Sequence, residues 1–153
     1  MELKKIYEKL KSKHNLPDYE KLNIIFDIES IDDDSELILF NIKKKMHEKI
    51  KAYCEIIENI VQPETNLRDL YESRYLSDKI KESAYSLYKK LMIIIRKSNL
   101  VSIENNEKDI AEFINETYKK YNKFKKPLSE HIEELERTWE KDTNIKKDLS
   151  YFG

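Results

Sequence analysis

Glycine is almost absent from this chain: its 153 residues include one, Gly153, at the final position. Average usage of about 7% would supply about ten. Loops that wrap phosphate or form an oxyanion hole use glycine where the backbone must approach a ligand without a Cβ atom. The sequence therefore excludes P-loops, dinucleotide-binding fingerprints and nucleophile elbows as usually built. Two-residue hairpins of the Asn-Gly type are excluded for the same reason.

Cysteine and long apolar runs are scarce as well. Cys54 is the only cysteine, so the chain cannot form an internal disulfide, which is typical of a reducing compartment. The longest run of aliphatic residues and methionine, from Leu91 to Ile95, is far shorter than the ~20 residues that cross a bilayer. The N-terminus also lacks a signal-peptide pattern. We therefore expect a cytoplasmic protein that does not bind membranes.

Charge of both signs is abundant, with 29 Lys and Arg against 30 Asp and Glu, for a net charge of -1. Apolar residues recur at spacings of three and four along most of the chain, which is the period of an amphipathic helix. The sequence therefore predicts an all-α fold, a single-domain bundle of five or six amphipathic helices over residues 1–153. A minor alternative is a short β-hairpin at about residues 22–42, because apolar and polar residues alternate from Leu22 to Ile28.

The sequence also predicts where some helices begin and end. Asp33 and Glu36 are spaced as a capping box at the start of a long helix over about residues 35–61. Pro127 is expected to separate the last two helices, because proline disfavours the interior of a helix.

An acidic block covers residues 27–36, with six carboxylates and no base. Within it, Asp32, Asp33 and Glu36 follow an Asp-Asp-x-x-Glu arrangement, which can hold Mg²⁺ in all-helical phosphohydrolases. Such a site needs a second carboxylate cluster, and chance alone supplies about six acidic pairs at a spacing of three in this chain, so such a pair is weak evidence. Helix capping is the simpler interpretation. An Mg-dependent phosphohydrolase-type enzyme is the second alternative function.

A basic block covers residues 119–127, with five lysines and no acid. The candidate nucleic-acid contacts are Lys119, Lys120, Lys123 and Lys126. Lysines neutralise phosphates, so a nucleic-acid-binding module is the first alternative function. Helical geometry places Tyr121 and Phe124 on the side opposite most of these lysines. The aromatic rings then belong to the core and cannot stack on bases beside the lysines, which favours a solvated helix face.

Within the stretch from Tyr85 to Ile95, the run from Leu91 to Ile95 is apolar nearly all round a helix, and Tyr85, Met92 and Ile93 lie away from the core positions Leu87 and Leu91. Such a helix is either central to the bundle or uses its outer face to bind a partner. We expect Tyr85, Met92 and Ile93 to contact a protein partner or a second copy. The predicted function is therefore non-enzymatic, that of an adaptor or subunit acting through protein–protein contacts.

Histidine and cysteine do not follow the spacing of metal or catalytic sites. The chain contains neither Cys-x-x-Cys nor His-x-x-x-His, whereas a zinc site needs three or four such ligands. We therefore expect no cofactor and no resident metal, and we assign no catalytic residue.

Overall fold

The computed structural model describes residues 2–32, 37–144 and 146–147. Within these ranges the chain forms six α-helices and no strand, so the predicted all-α fold is confirmed. The helices are α1 (Glu2–His14), α2 (Tyr19–Phe26), α3 (Ile38–Val61), α4 (Leu67–Tyr75), α5 (Asp78–Glu104) and α6 (Glu107–Glu140). A short 3₁₀ helix, Ile28–Ser30, follows α2, so the described part of the proposed hairpin region contains no hairpin.

The chain divides into two compact units, and each is built from two separate stretches. The first unit comprises Met1–Ala52 and Met92–Lys123, and the second comprises Tyr53–Leu91 and Phe124–Gly153. Three helices, α3, α5 and α6, contribute residues to both units. Compactness does not measure cooperativity of unfolding, so the single domain over residues 1–153 stays a prediction.

The core of the first unit is formed by one face of each of its helices. Its fully buried side chains include Leu3, Tyr7, Leu22, Ile42, Met46, Ile50, Ile94 and Phe113. Full burial of one large apolar side chain contributes roughly 1.5–3 kcal/mol relative to exposure. Tyr7 buries its hydroxyl as well, and that hydroxyl donates a hydrogen bond to the carbonyl oxygen of Pro17. The amphipathic spacing seen in the sequence therefore produces this core directly.

The core of the second unit combines aliphatic and aromatic side chains. Its buried residues include Cys54, Ile57, Ile60, Tyr71, Ala84, Leu87, Leu91 and Leu128. The Tyr71 hydroxyl donates to the carbonyl oxygen of Thr138 at 2.6 Å, and the Tyr71 ring stacks on Trp139 with centroids 4.2 Å apart. The Trp139 indole N–H donates to Glu72 at 2.9 Å, and its side chain stays half exposed. This unit therefore holds its tryptophan at the edge of the core.

The predicted break at Pro127 is wrong, because α6 continues through this residue. An interior proline removes one backbone hydrogen bond and costs about 3 kcal/mol. Phe124 and Leu128 are buried on either side of it, and Nδ1 of the buried His131 donates to the Pro127 carbonyl oxygen. Packing on both sides of the proline therefore offsets its cost.

Asparagine and aspartate take the conformation that glycine usually adopts at the ends of helices. Asn15, Asp27 and Asn105 directly follow α1, α2 and α5, with φ values of 52°, 53° and 53°. These left-handed residues let the chain leave a helix, and Asn and Asp tolerate this conformation better than other non-glycine residues. The Asn105 N–H closes its helix by donating to the Val101 carbonyl oxygen at 2.9 Å.

Variants at Asn105 test whether this asparagine takes the role that glycine usually has at the end of a helix. We expect Asn105→Ala to lower the free energy of unfolding by about 1 kcal/mol, because alanine disfavours positive φ, and Asn105→Gly to leave it unchanged or raise it. The measurement is urea unfolding followed by circular dichroism. Asn122 is an exposed asparagine within α6, and Asn122→Ala should change the free energy by less than about 0.5 kcal/mol. Equal losses at both positions would contradict the backbone explanation.

Candidate interaction surface

Within the first unit, α5 directs one face into the core. Ile94, Ile95, Ser98 and Val101 are buried there. Ser98 follows the two isoleucines by four and three residues and precedes Val101 by three, so all four side chains lie on one face of the helix. The remaining apolar residues of this part of α5 must therefore lie elsewhere on its circumference.

The opposite face of α5 carries a second row of apolar side chains. Ile93 and Leu100 are each 60% exposed and Ile103 is 76% exposed, while Met92 is half-buried. At about 100° per residue these four side chains lie within an arc of roughly 100°. We call this set the α5 apolar stripe: Met92, Ile93, Leu100 and Ile103. It is a row of apolar side chains on the face of α5 directed away from the core.

The structure separates the residues of the predicted interface. Met92 and Ile93 belong to the first unit, whereas Tyr85 belongs to the second. Tyr85 is 48% exposed, and the ammonium of Lys89 lies 4.8 Å from its ring centroid, a cation–π contact. Whether any of the three residues touches a partner stays a prediction.

Leu100 and Ile103 were missing from the predicted interface, although the sequence contained a signal for them. They follow Ile93 by seven and ten residues, which places all three on one side of a helix. The continuous apolar run that predicts the interface ends at Ile95, before both residues. Because that run is apolar all round, sequence alone did not show which face is buried.

Two cationic side chains interrupt the α5 apolar stripe. Arg96 lies angularly between Met92 and Leu100, and Lys97 lies at the edge of the stripe. The Arg96 guanidinium donates to the Asn99 side-chain oxygen at 3.0 Å. Both cations are exposed, and within the described ranges neither lies within 4 Å of a carboxylate. Glu104, also exposed, lies angularly between Ile93 and Lys97, so the unneutralised cation inside the arc of the stripe is Arg96.

Polar pairs on the inner side of α5 set the rotation of this helix. Lys43 of α3 is buried, and its ammonium donates to the Ser102 hydroxyl, which in turn donates to the Ser98 carbonyl oxygen at 3.0 Å. The Ser98 hydroxyl lies 2.8 Å from Nδ1 of His47. These bonds join residues spaced four apart on both helices. They therefore hold Ser98 and Ser102 towards α3 and leave the α5 apolar stripe outward.

Burial also changes the titration of this polar cluster. Desolvation lowers the pKa of Lys43, because the charged ammonium is separated from water. Burial, followed by repulsion from Lys43 and Lys51, lowers the pKa of His47. Both pKa values are therefore lowered chiefly by removal of the side chains from water, which is expected of polar groups beneath the surface.

The predicted nucleic-acid contacts lie on α6. Lys119, Lys123 and Lys126 are exposed and Lys120 is partly exposed. Phe124 is buried, and Tyr121 packs edge-on against Phe26 with centroids 5.6 Å apart. Phe124 therefore packs in the interior, whereas Tyr121 is partly buried and contacts Phe26. Across the part of the chain that the structure describes, none of these four lysines lies within 4 Å of a carboxylate.

Of the three proposed Mg²⁺ ligands, one lies among the described residues. Asp32 is exposed, whereas Asp33 and Glu36 lie outside the described residues, as does the capping box that they were predicted to form. Among residues 2–32, 37–144 and 146–147, no group of three His, Cys, Asp or Glu side chains is placed to hold a metal ion. The phosphohydrolase alternative therefore stays a prediction without structural support.

Cys54 has the environment of a structural thiol. It is buried, and burial raises the pKa of its thiol to about 11, with smaller contributions from Glu58 and Glu55. Because the thiolate is the nucleophilic form, a thiol with this pKa is a poor nucleophile at neutral pH. The geometry therefore favours packing over covalent catalysis at Cys54.

Comparisons of this chain with protein-family models, curated proteins and solved structures found no match. In the described residues, no helix combines the length and apolar character needed to cross a membrane. The exposed side chains of α5 are therefore the basis for the proposed function.

Proposed function

We propose that this protein is a non-enzymatic adaptor or subunit whose function depends on protein–protein contacts made by the α5 apolar stripe. One observation carries the proposal: Ile93, Leu100 and Ile103 are 60%, 60% and 76% exposed on the face of α5 opposite the core. Isolated exposed apolar side chains are common, whereas several on one helix face, as here, are typical of interaction sites. Its lone cysteine, which cannot form an internal disulfide, supports a cytoplasmic location.

The free energy gained by burying these three side chains can be compared with the cost of association. Covering the exposed fractions of Ile93, Leu100 and Ile103 is worth roughly 3–6 kcal/mol in total. Association itself costs roughly 4–15 kcal/mol in lost freedom of motion. The α5 apolar stripe is therefore expected to be the centre of a larger or reversible contact rather than a sufficient interface alone.

Site-specific photo-crosslinking in the native cells tests this proposal. With a photoreactive residue at position 100, we expect one or a few discrete covalent adducts, because Leu100 lies at the middle of the stripe. The same residue at Glu112, an exposed position of α6, serves as the control and should give none of these adducts. A Leu100→Glu variant of unchanged helicity should lose the same contacts. Absence of any adduct specific to position 100 would refute the proposal.

Nucleic-acid binding is a second candidate, and the four exposed or partly exposed α6 lysines without a nearby carboxylate favour it. Phosphate contacts weaken steeply as salt rises, so binding should be strongest at low ionic strength. Gel shifts with single- and double-stranded probes test it, and a Lys119→Glu, Lys123→Glu variant should then lose binding. Absence of a complex at low salt would eliminate this candidate.

A further inference from the structure

We infer that the α5 apolar stripe receives an amphipathic helix from another protein, and that this helix carries carboxylates between its apolar residues. The inference rests on the proposed function and adds the chemical class of the partner. It depends on the cations beside the stripe residues, Arg96 between Met92 and Leu100 and Lys97 at the edge, neither of which has a carboxylate within 4 Å in the described segments.

Arg96 creates the strongest requirement for a partner carboxylate. Among the residues that the structure describes, its guanidinium has one hydrogen-bond partner, the neutral Asn99 amide, although it offers five N–H donors. A partner that covers Ile93 and Leu100 must also exclude water from Arg96. Burying an unneutralised charge is costly, whereas a carboxylate can accept two parallel hydrogen bonds from a guanidinium. Apolar residues alone would therefore make a poor partner surface.

A second copy of this chain does not satisfy this requirement when its apolar residues are matched. In an antiparallel two-fold pairing, the register that places Ile93 opposite Ile103 of the other copy also opposes the Arg96–Lys97 segments. Axial offsets between equivalent cations are then about 3–6 Å, with helix axes about 8–10 Å apart. Four cations meet near the symmetry axis, and like charges at such distances repel.

A shifted register relieves the repulsion but uncovers apolar surface. Sliding the two copies by one helical turn places Arg96 opposite Glu104 of the other copy, a favourable pairing. Ile93 then faces position 107 of the second copy, beyond Glu104, where α5 ends. Neither of these two registers both covers Ile93 and places a carboxylate opposite Arg96. A different chain with its own carboxylates meets both requirements.

Synthetic helical peptides provide the test. The acidic probe is an amphipathic peptide of about 20 residues with leucine on one face and glutamate flanking it, long enough to form helix. Matched probes replace each flanking glutamate by glutamine or by lysine. Fluorescence anisotropy should show roughly tenfold or stronger preference for the acidic probe over the lysine probe. That preference should decrease as salt rises, because these charges lie at the surface.

Charge reversal on the protein should reverse the preference. The Arg96→Glu, Lys97→Glu variant is expected to bind the lysine probe more tightly than the acidic one. Lys108→Glu is the control, since Lys108 is an exposed lysine of α6 in the same unit and should leave the preference unchanged. Leu100→Glu should weaken binding of every probe, because it removes the central apolar contact.

The outcomes separate this inference from the proposed function. Equal binding of the three probes, or binding of none, overturns the acidic partner, and the position-100 crosslinking result then decides the proposed function alone. Concentration-dependent dimerisation that Leu100→Glu abolishes would identify a second copy as the occupant and would also overturn the inference. Preference for the acidic probe, reversed by the double charge variant, supports it.

Discussion

The Ile50→Ala and Ile57→Ala variants should each lose about 2–5 kcal/mol of unfolding free energy. Both isoleucines lie on α3 and are 0% exposed. Truncation to alanine removes their transfer free energy and leaves a cavity that tightly packed neighbours fill only in part. Ile50 belongs to the first compact unit and Ile57 to the second, so the same chemical change probes each unit from one helix.

Urea unfolding followed by circular dichroism and by Trp139 fluorescence measures both effects. If residues 1–153 form a single domain, both variants shift one common transition, and the two signals coincide. Two transitions, with each variant shifting only one of them, would overturn the single-domain prediction. Glu48→Ala and Glu55→Ala, exposed positions of α3 in the two units, are the matched controls and should change stability by less than about 0.5 kcal/mol.

Lys43→Met should raise the free energy of unfolding by about 1–2 kcal/mol at neutral pH. Lys43 is 5% exposed, and within the described ranges no carboxylate lies within 4 Å of its ammonium. Methionine has a similar length and avoids the cost of desolvating a charge. Ser102 keeps a partner after the change, because its hydroxyl donates to the Ser98 carbonyl oxygen.

The benefit of Lys43→Met should depend on pH in a defined direction. The pKa of Lys43 is lowered in the folded protein, so between that pKa and the unfolded value near 10.5 the unfolded chain binds more protons. Stability of the unsubstituted protein then rises with pH over this interval, and the advantage of methionine decreases. Lys44→Met, at an exposed neighbouring position, should show no such dependence. Lower stability of Lys43→Met at neutral pH would show that the ammonium contacts outweigh desolvation.

Much of the fold follows from local patterns that sequence contains. Spacings of three and four predicted helices, and the same geometry directed Phe124 inward, where the structure buries it. Pro127 could not be placed correctly from local sequence rules. Proline destabilises a helix interior, yet α6 continues through Pro127 with Phe124 and Leu128 buried on either side. Their burial depends on tertiary packing, which local spacing does not specify.

The sequence was enough to predict the all-α class and to exclude glycine-dependent ligand loops as usually built, because both follow from residue type and short-range spacing. It also identified α5 as a helix with more apolar residues than one buried face needs. Which of these residues face out depends on how the other helices pack against α5. Lys43 and His47 contact serines on one side of α5, which buries Ile94 and leaves Ile93 exposed. Ile93 and Ile94 carry the same side chain. They differ because another helix packs against Ile94, whereas Ile93 faces solvent.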